Sequence, residues 1–142
     1  MKTSDSIFHQ CLYFSSNALA RKVEKLAIES WKPIGLSPSH AYLLTTILKQ
    51  PGQHPGALSD ELQLAPSTIT RLIEKLEAKR LVVRMTSGKL TYVHPTQTAK
   101  NLQPQIDNCL NNFYKAYSSI LGEIESQKLV RQMVAIADKL PV

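Results

Sequence analysis

The stretch "LAPSTITRLIEKLEAKRLVVR", residues 64–84, changes period part-way and so limits the fold more than any other segment. Ile69, Leu72, Ile73 and Leu76 recur at spacings of three and four, the stripe of a helix with one buried face. The front of that helix, however, is Pro66, Ser67, Thr68 and Thr70, four small or polar residues with little to bury and several hydroxyls to offer. From Val82 the pattern changes. In "LVVRMTSGKLTYVHPT", Val83 and Met85 and then Leu90, Thr91, Tyr92 and Val93 suit two strands, and Gly88 in "TSGK" can take the positive φ of a tight turn. The segment predicts a helix over about 66–79 running into a small β-hairpin.

Upstream, Ser37 in "GLSPSHAYLLTTILKQPG" is a helix N-cap and Pro38 occupies the first turn, where its missing N–H costs nothing. Tyr42, Leu43, Ile47 and Leu48 are expected to face inward. "HPGALSDELQL" gives a short helix near 56–63 with Leu58 and Leu62 inward, and a turn at Gln63-Leu64-Ala65 leads into the next. Two short helices, a tight turn and a hairpin make a winged helix-turn-helix over 37–95.

Long helices flank it. Ile7, Cys11, Phe14, Ala18, Leu19, Val23, Leu26 and Ala27 predict a helix over 5–32, capped by Ser4 or Asp5 and ended by "KPIG". So long a stripe at the start of a 142-residue chain exceeds what one small domain covers, and its excess is read as a subunit interface. A fifth helix over 97–121 carries Leu102, Ile106, Leu110, Phe113, Tyr117 and Ile120. Pro104 either kinks it or lies in its first turns. "LGEIES" breaks the chain, and a last helix over 124–139 points Leu129, Val130, Met133, Ile136 and Ala137 inward. The expectation is one domain over 1–142, mainly α with a small β-hairpin wing: a winged helix-turn-helix flanked by dimerisation helices at 5–32 and 97–140.

Charge is distributed unevenly. Residues 49–100 carry 8 Lys/Arg against 4 Asp/Glu, a net of +4, while residues 1–48 have a net of +2 and residues 101–142 a net of 0. A basic excess centred on the 66–79 helix suits a polyanion such as double-stranded DNA, although a solvated basic face would look the same. The small front of that helix permits close approach to DNA. Its Ser and Thr hydroxyls can reach phosphates or base edges, and its N-terminal N–H groups favour phosphate. Arg71, with Lys75 and Lys79 behind it at four-residue steps, continues the exposed side. Ser and Thr at a helix start also serve simply as caps.

At these residues the chain resembles the MarR family of bacterial transcriptional regulators. The resemblance covers nearly the whole length and rests on "GLSPSHAYLLTTIL", "ALSDELQLAPSTITRLIEKLEAKRLVVR" and "HPTQTAKNL". Its most specific part is "STITRLIEKLE" followed by "LVVR". The resemblance implies a homodimer whose first and last helices interlock, two winged domains reading a palindrome, and a ligand or redox site between the dimer helices and the winged domain. The DNA-facing set it implies is Ser37, Ser39, Pro66, Ser67, Thr68, Thr70, Arg71, Lys75, Arg84 and Lys89. The wing departs from the family habit. The family's acidic-x-Arg signature is missing from "RMTSGKLTYVHPT", which leaves Lys89 and Arg84 as the nearby cations. Lys lacks the planar fork of Arg and should hold a groove more weakly. Thr96 matches the Thr that opens the family's fifth helix, with Pro95 in place of the usual Leu.

Two effector sites are open. Some relatives sense peroxide through a Cys near the start of the first helix, and "HQCLYF" sets Cys11 beside His9 and Tyr13, with Tyr42 able to approach. Cys11, like Cys109, also suits a small buried apolar role. Alternatively His9, Tyr13, Trp31, Tyr42, Phe113 and Tyr117 could line a pocket for a small-molecule effector, or serve as packing. No cofactor and no metal site is read, since neither Cys lies in a cluster with zinc spacing. No arrangement of nucleophile and base, or of paired carboxylates, suggests an enzyme. With no run of about 18 apolar residues there is no membrane partner. With no signal peptide either, the cytoplasm is expected. The rival reading is a winged-helix protein-interaction module, docking through its hairpin.

Overall fold

A computed structural model describes residues 1–141. The chain forms α1 (Leu12–Trp31), α2 (Pro38–Lys49), α3 (Pro55–Leu62), α4 (Pro66–Ala78), β1 (Val82–Ser87), β2 (Leu90–Pro95), α5 (Gln97–Asn101), α6 (Gln103–Leu121) and α7 (Glu123–Lys139). These fall into two compact units: a winged unit, Trp31–Cys109, and a helical unit made of Met1–Ser30 and Leu110–Val142.

The winged unit has a continuous apolar core. Leu43, Leu44 and Ile47 of α2, Leu58 of α3, Ile69, Ile73 and Leu76 of α4, and Val82 and Val93 of the hairpin are all buried. The inward face of α4 is as its period predicts. That of α2 is rotated: Ala41 and Leu44 are buried, while Tyr42 is exposed and Leu48 only half-buried. In the hairpin, Val82 and Val93 are buried, and Val83, Met85 and Leu90 are exposed.

The connections are fixed by left-handed residues and side-chain bonds. Between α3 and α4, Gln63 takes φ 52, and the Leu64 N–H reaches back to the Ser59 carbonyl. The Ser59 hydroxyl donates to the Leu64 carbonyl, which clamps the turn. After α4, Arg80 takes φ 59 and the Leu81 N–H bonds to the Leu76 carbonyl, the six-to-one closure of a helix end. The strands pair antiparallel from Val82↔Pro95 to Ser87↔Leu90, and Gly88 at φ 63 makes the tip. Gln53 bridges Val93, so the loop between α2 and α3 is stitched to the wing.

Thr96 holds three pieces together. Its oxygen accepts the Ala99 N–H at 3.2 Å as the N-cap of α5, and its hydroxyl donates to the Arg80 carbonyl at 2.8 Å. Thr96→Ala removes both interactions and should lower stability by about 1 kcal/mol. Urea unfolding should show a lower midpoint at unchanged slope, while an unchanged midpoint would mean the hydroxyl is dispensable.

Two long-helix expectations change. The helix expected over 5–32 begins only at Leu12. The cause is local. Thr3–Asp5 forms a single 3₁₀ turn, Asp5 accepts the Lys2 N–H, and Ser6 Oγ accepts the Phe8 N–H at 3.1 Å. These side-chain bonds offer the backbone turns in place of the ladder. Asp5 therefore does not cap the long helix, and Cys11 precedes it, accepting the Ser15 N–H. The helix expected over 97–121 is two, interrupted at Leu102. Pro104 lies in the first turn of α6, where a missing N–H is harmless. Gly122, at φ 91, separates α6 from α7.

The helical unit has little core. Ala27 is its buried hydrophobic residue among those described, whereas Leu19, Val23, Ile28, Ile120, Ile124, Val130, Met133, Val134 and Ile136 are all more than a third exposed. The residues expected inward on α7 thus face solvent or are only half-buried in the single chain.

Candidate nucleic-acid interface

The N-terminus of α4 is open. Its cap position is Ala65, whose methyl cannot accept a hydrogen bond, and Pro66 follows as the first helical residue. Without a side-chain cap, the Ser67 and Thr68 N–H groups remain donors to an outside ligand. Ser67 is exposed and Thr68 half-buried. Thr70 turns inward in its bonding: its hydroxyl donates to the Pro66 carbonyl at 3.0 Å, leaving only acceptor capacity for a ligand. Arg71, Lys75 and Lys79 are exposed. The row they form begins at the open helix end, where partial positive charge already favours an anion.

Arg84 is not free for DNA in the way the sequence suggests. Its Nη2 lies 2.8 Å from Glu77 Oε1 and its Nε 3.3 Å from Oε2. The pair stabilises both charges. Hydrogen bonding from Arg84 holds the Glu77 carboxyl below the usual carboxylate range, and Glu77 in turn raises the guanidinium. Arg84 thereby braces β1 against α4. Lys89 is exposed at the wing tip beside Gly88.

Ser37 does cap α2, accepting the His40 N–H at 3.3 Å, and its Oγ also pairs with His40 Nδ1. Ser39 is exposed beside it. His40 went unnoticed in the sequence. The available signal was its place three residues after the Ser37 cap, where a side chain folds back on the helix start. Its pKa is lowered by burial and then by Lys75 of α4 and Lys79, the residue that ends that helix.

The effector residues divide between the units. In the winged unit, Trp31 is buried and its ring lies 5.3 Å from Tyr42. In the helical unit, Tyr117 packs edge-on against Phe113 and Tyr114. There too Cys11 is exposed and, with Phe8, Tyr13, Phe14, Asn17 and Arg21, lines a groove of about 360 Å³. His9 is tied through Nδ1 to the Ser6 carbonyl at 2.8 Å. Cys109 is buried, and burial pushes its thiol pKa up, which disfavours thiolate. Among the described residues, no group of three or more His, Cys, Asp or Glu is placed to hold a metal ion. No helix among them is long and apolar enough to cross a membrane.

Comparison with known proteins follows the same outline. Residues 34–89 match the model of the MarR family. A curated relative, the HTH-type transcriptional repressor MdtR of Bacillus subtilis, is 25% identical over 89 residues, 63% of this chain. That match spans only 57% of the repressor's own length. Among solved structures, the transcriptional repressor CouR bound to a 23-mer DNA duplex superposes with a TM-score of 0.83 at 16% identity, covering 96% of this chain and 98% of that one. A mutant MarR from E. coli complexed with operator DNA gives 0.80 at 16% identity, covering 92% and 98%. The winged helix-turn-helix expected from the sequence is thus the fold of these neighbours.

Proposed function

From the match of residues 34–89 to the MarR family model, we propose that the chain is a member of that family and a homodimeric, sequence-specific DNA-binding regulator of transcription. It acts as a repressor on a palindromic operator. One observation carries most of the argument: the open, uncapped start of α4, with Ser67 and Thr68 N–H groups pointing to no side-chain acceptor and Arg71 one turn behind. Such an end fits a phosphate and the edge of a base pair, and the buried Ile69, Leu72, Ile73 and Leu76 hold it rigid. Ser37, Ser39, Pro66, Thr68, Thr70 and Lys75 complete the contact surface, Arg84 supports it through Glu77, and Lys89 reaches DNA from the wing. The exposed apolar surfaces of α1, α6 and α7 pair in the dimer.

Release follows from a change in the dimer helices. An effector there alters the separation of the two α4 helices, which must sit about one turn of DNA, about 34 Å, apart. Two inputs fit: a small ligand among the aromatic side chains, or oxidation of the exposed Cys11, its thiol becoming a sulfenic acid as a peroxide is reduced to water or alcohol.

The alternative, a protein-interaction module, draws support from one feature, the outward Val83, Met85 and Leu90 on the wing. Titration with duplex DNA at several salt concentrations separates the two. Under the DNA reading, Lys89→Ala lowers affinity for every duplex alike and reduces the salt slope by about one phosphate contact, leaving sequence preference unchanged. Loss of sequence preference in that variant would move base reading to the wing. Salt-independent binding to DNA would favour the protein-interaction reading.

A further inference from the structure

On the DNA-binding reading above, on which this rests, we infer that His54 is a positioning residue for the wing: it ties β2 to the loop before α3 and so holds Lys89 where it meets a backbone phosphate.

The hairpin is fixed at its base, where Val82 and Val93 are buried and Arg84 pairs with Glu77 of α4. From Val83 to Leu90 every residue is exposed, so core packing does not hold the outer half. Its attachment comes from the loop before α3. The Gly52 N–H donates to the Val93 carbonyl at 2.9 Å, and the Val93 N–H donates to the Gln53 carbonyl at 3.0 Å. Gly52 takes φ 83, and a Cβ there would meet His94 Cε1 at 3.2 Å, so this close approach needs glycine.

His54 extends the attachment towards the tip. Its Nδ1 lies 3.0 Å from the Thr91 carbonyl. A carbonyl only accepts, so Nδ1 carries the proton and donates. The same ring lies 4.7 Å from that of Tyr92. Among the described residues, no side-chain hydrogen bond to the hairpin lies nearer to Lys89. His54 is itself exposed, and its side chain does not cap α3, so neither core packing nor capping is its task.

The wing acts as a lever. Lys89 is four residues from Val93, about 13 Å along a strand at about 3.3 Å per residue. Without His54 the hairpin can turn on the Val93 rung, and a rotation of about 10° moves the tip by about 2 Å at that length. A hydrogen bond to phosphate spans about 2.7–3.2 Å, so Lys89 would keep its contact in only a fraction of wing positions.

The test is a double-mutant cycle on the full chain, with a duplex it selects titrated at several salt concentrations. Lys89→Ala and His54→Ala should each lower affinity about three- to fivefold near 0.15 M salt and reduce the salt slope by about one. The double variant should lose no more than Lys89→Ala alone, because His54 acts through Lys89. A contribution to stability alone would not change the salt slope or couple to Lys89. Additive losses, with the slope reduced by about two, would make His54 an independent contact and overturn the inference. Unchanged binding by His54→Ala would overturn it too. Should His54→Ala not fold, His54→Phe keeps a ring on Tyr92, removes the donor and takes its place in the cycle with the same expected and overturning results. Selective binding that Lys89→Ala leaves unaltered would take the wing tip off the DNA, which removes this inference and leaves the DNA reading standing. No selective binding by wild type removes both.

Discussion

Arg71→Ala should weaken binding to the operator by about 10- to 100-fold, corresponding to about 1–3 kcal/mol for a side chain that reads a base edge. Arg71 is exposed, one turn beyond Ser67 on α4, and has no ion-pair partner among the described residues. Its neighbours Leu72 and Ile73 are buried, so the helix carrying it stays in place when its side chain is removed. The loss should be greatest for the selected sequence and smaller for a shuffled one. Thermal unfolding should remain near that of wild type, because an exposed Arg without a partner contributes little to the fold. Equal loss on both duplexes would reduce Arg71 to a phosphate contact.

A larger effect should follow from charging the last helix. Val130 and Met133 are exposed on α7 of the single chain and stand three residues apart on one face. In the proposed dimer that face is covered. Replacing both by Glu places carboxylates where apolar side chains meet, and burying an unpaired charge costs several kcal/mol. The subunits should separate, as seen by sedimentation at micromolar concentration. Binding to a two-half-site duplex should fall by about 100-fold or more, because the gain from linking two sites, about 10²–10⁴, is lost. Binding to an isolated half-site should hardly change. A dimer that survives both substitutions would place the interface elsewhere on the helical unit.

The sequence disclosed the winged unit better than the flanking helices. Ile69, Leu72, Ile73 and Leu76 alternate at helical spacing against a polar face, and that contrast fixed both the helix and its buried side. Gly88 marked the wing tip for the reason that applies to any L-residue at φ 63. Gln63 and Arg80 also adopt left-handed conformations, yet neither residue type announces it. There the Ser59 hydroxyl and the Leu76 carbonyl supply what composition does not. The late start of α1 was hidden because Ile7 and Cys11 continue the apolar spacing, while the turn depends on Ser6 and Asp5 side chains bonding locally. Moving that start placed Cys11 at the helix end instead of two turns inside it. At the candidate site, exposed Ser67 and Arg71 were legible as types in a pattern. The Arg84–Glu77 pair, seven residues apart across an element boundary, was not, since helical spacing ends at Ala78. His40 was missed for a related reason: two of the charges that lower its pKa, Lys75 and Lys79, lie more than thirty residues away in sequence.

In the proposed function this chain reads DNA sequence as a dimer. Selection of bound duplexes from a random pool, at fixed near-physiological salt, addresses it directly. A dimeric reader should enrich a palindrome with half-sites about one helical turn apart. Salt-sensitive binding without any enriched sequence would contradict it and leave a basic domain that binds DNA without reading it.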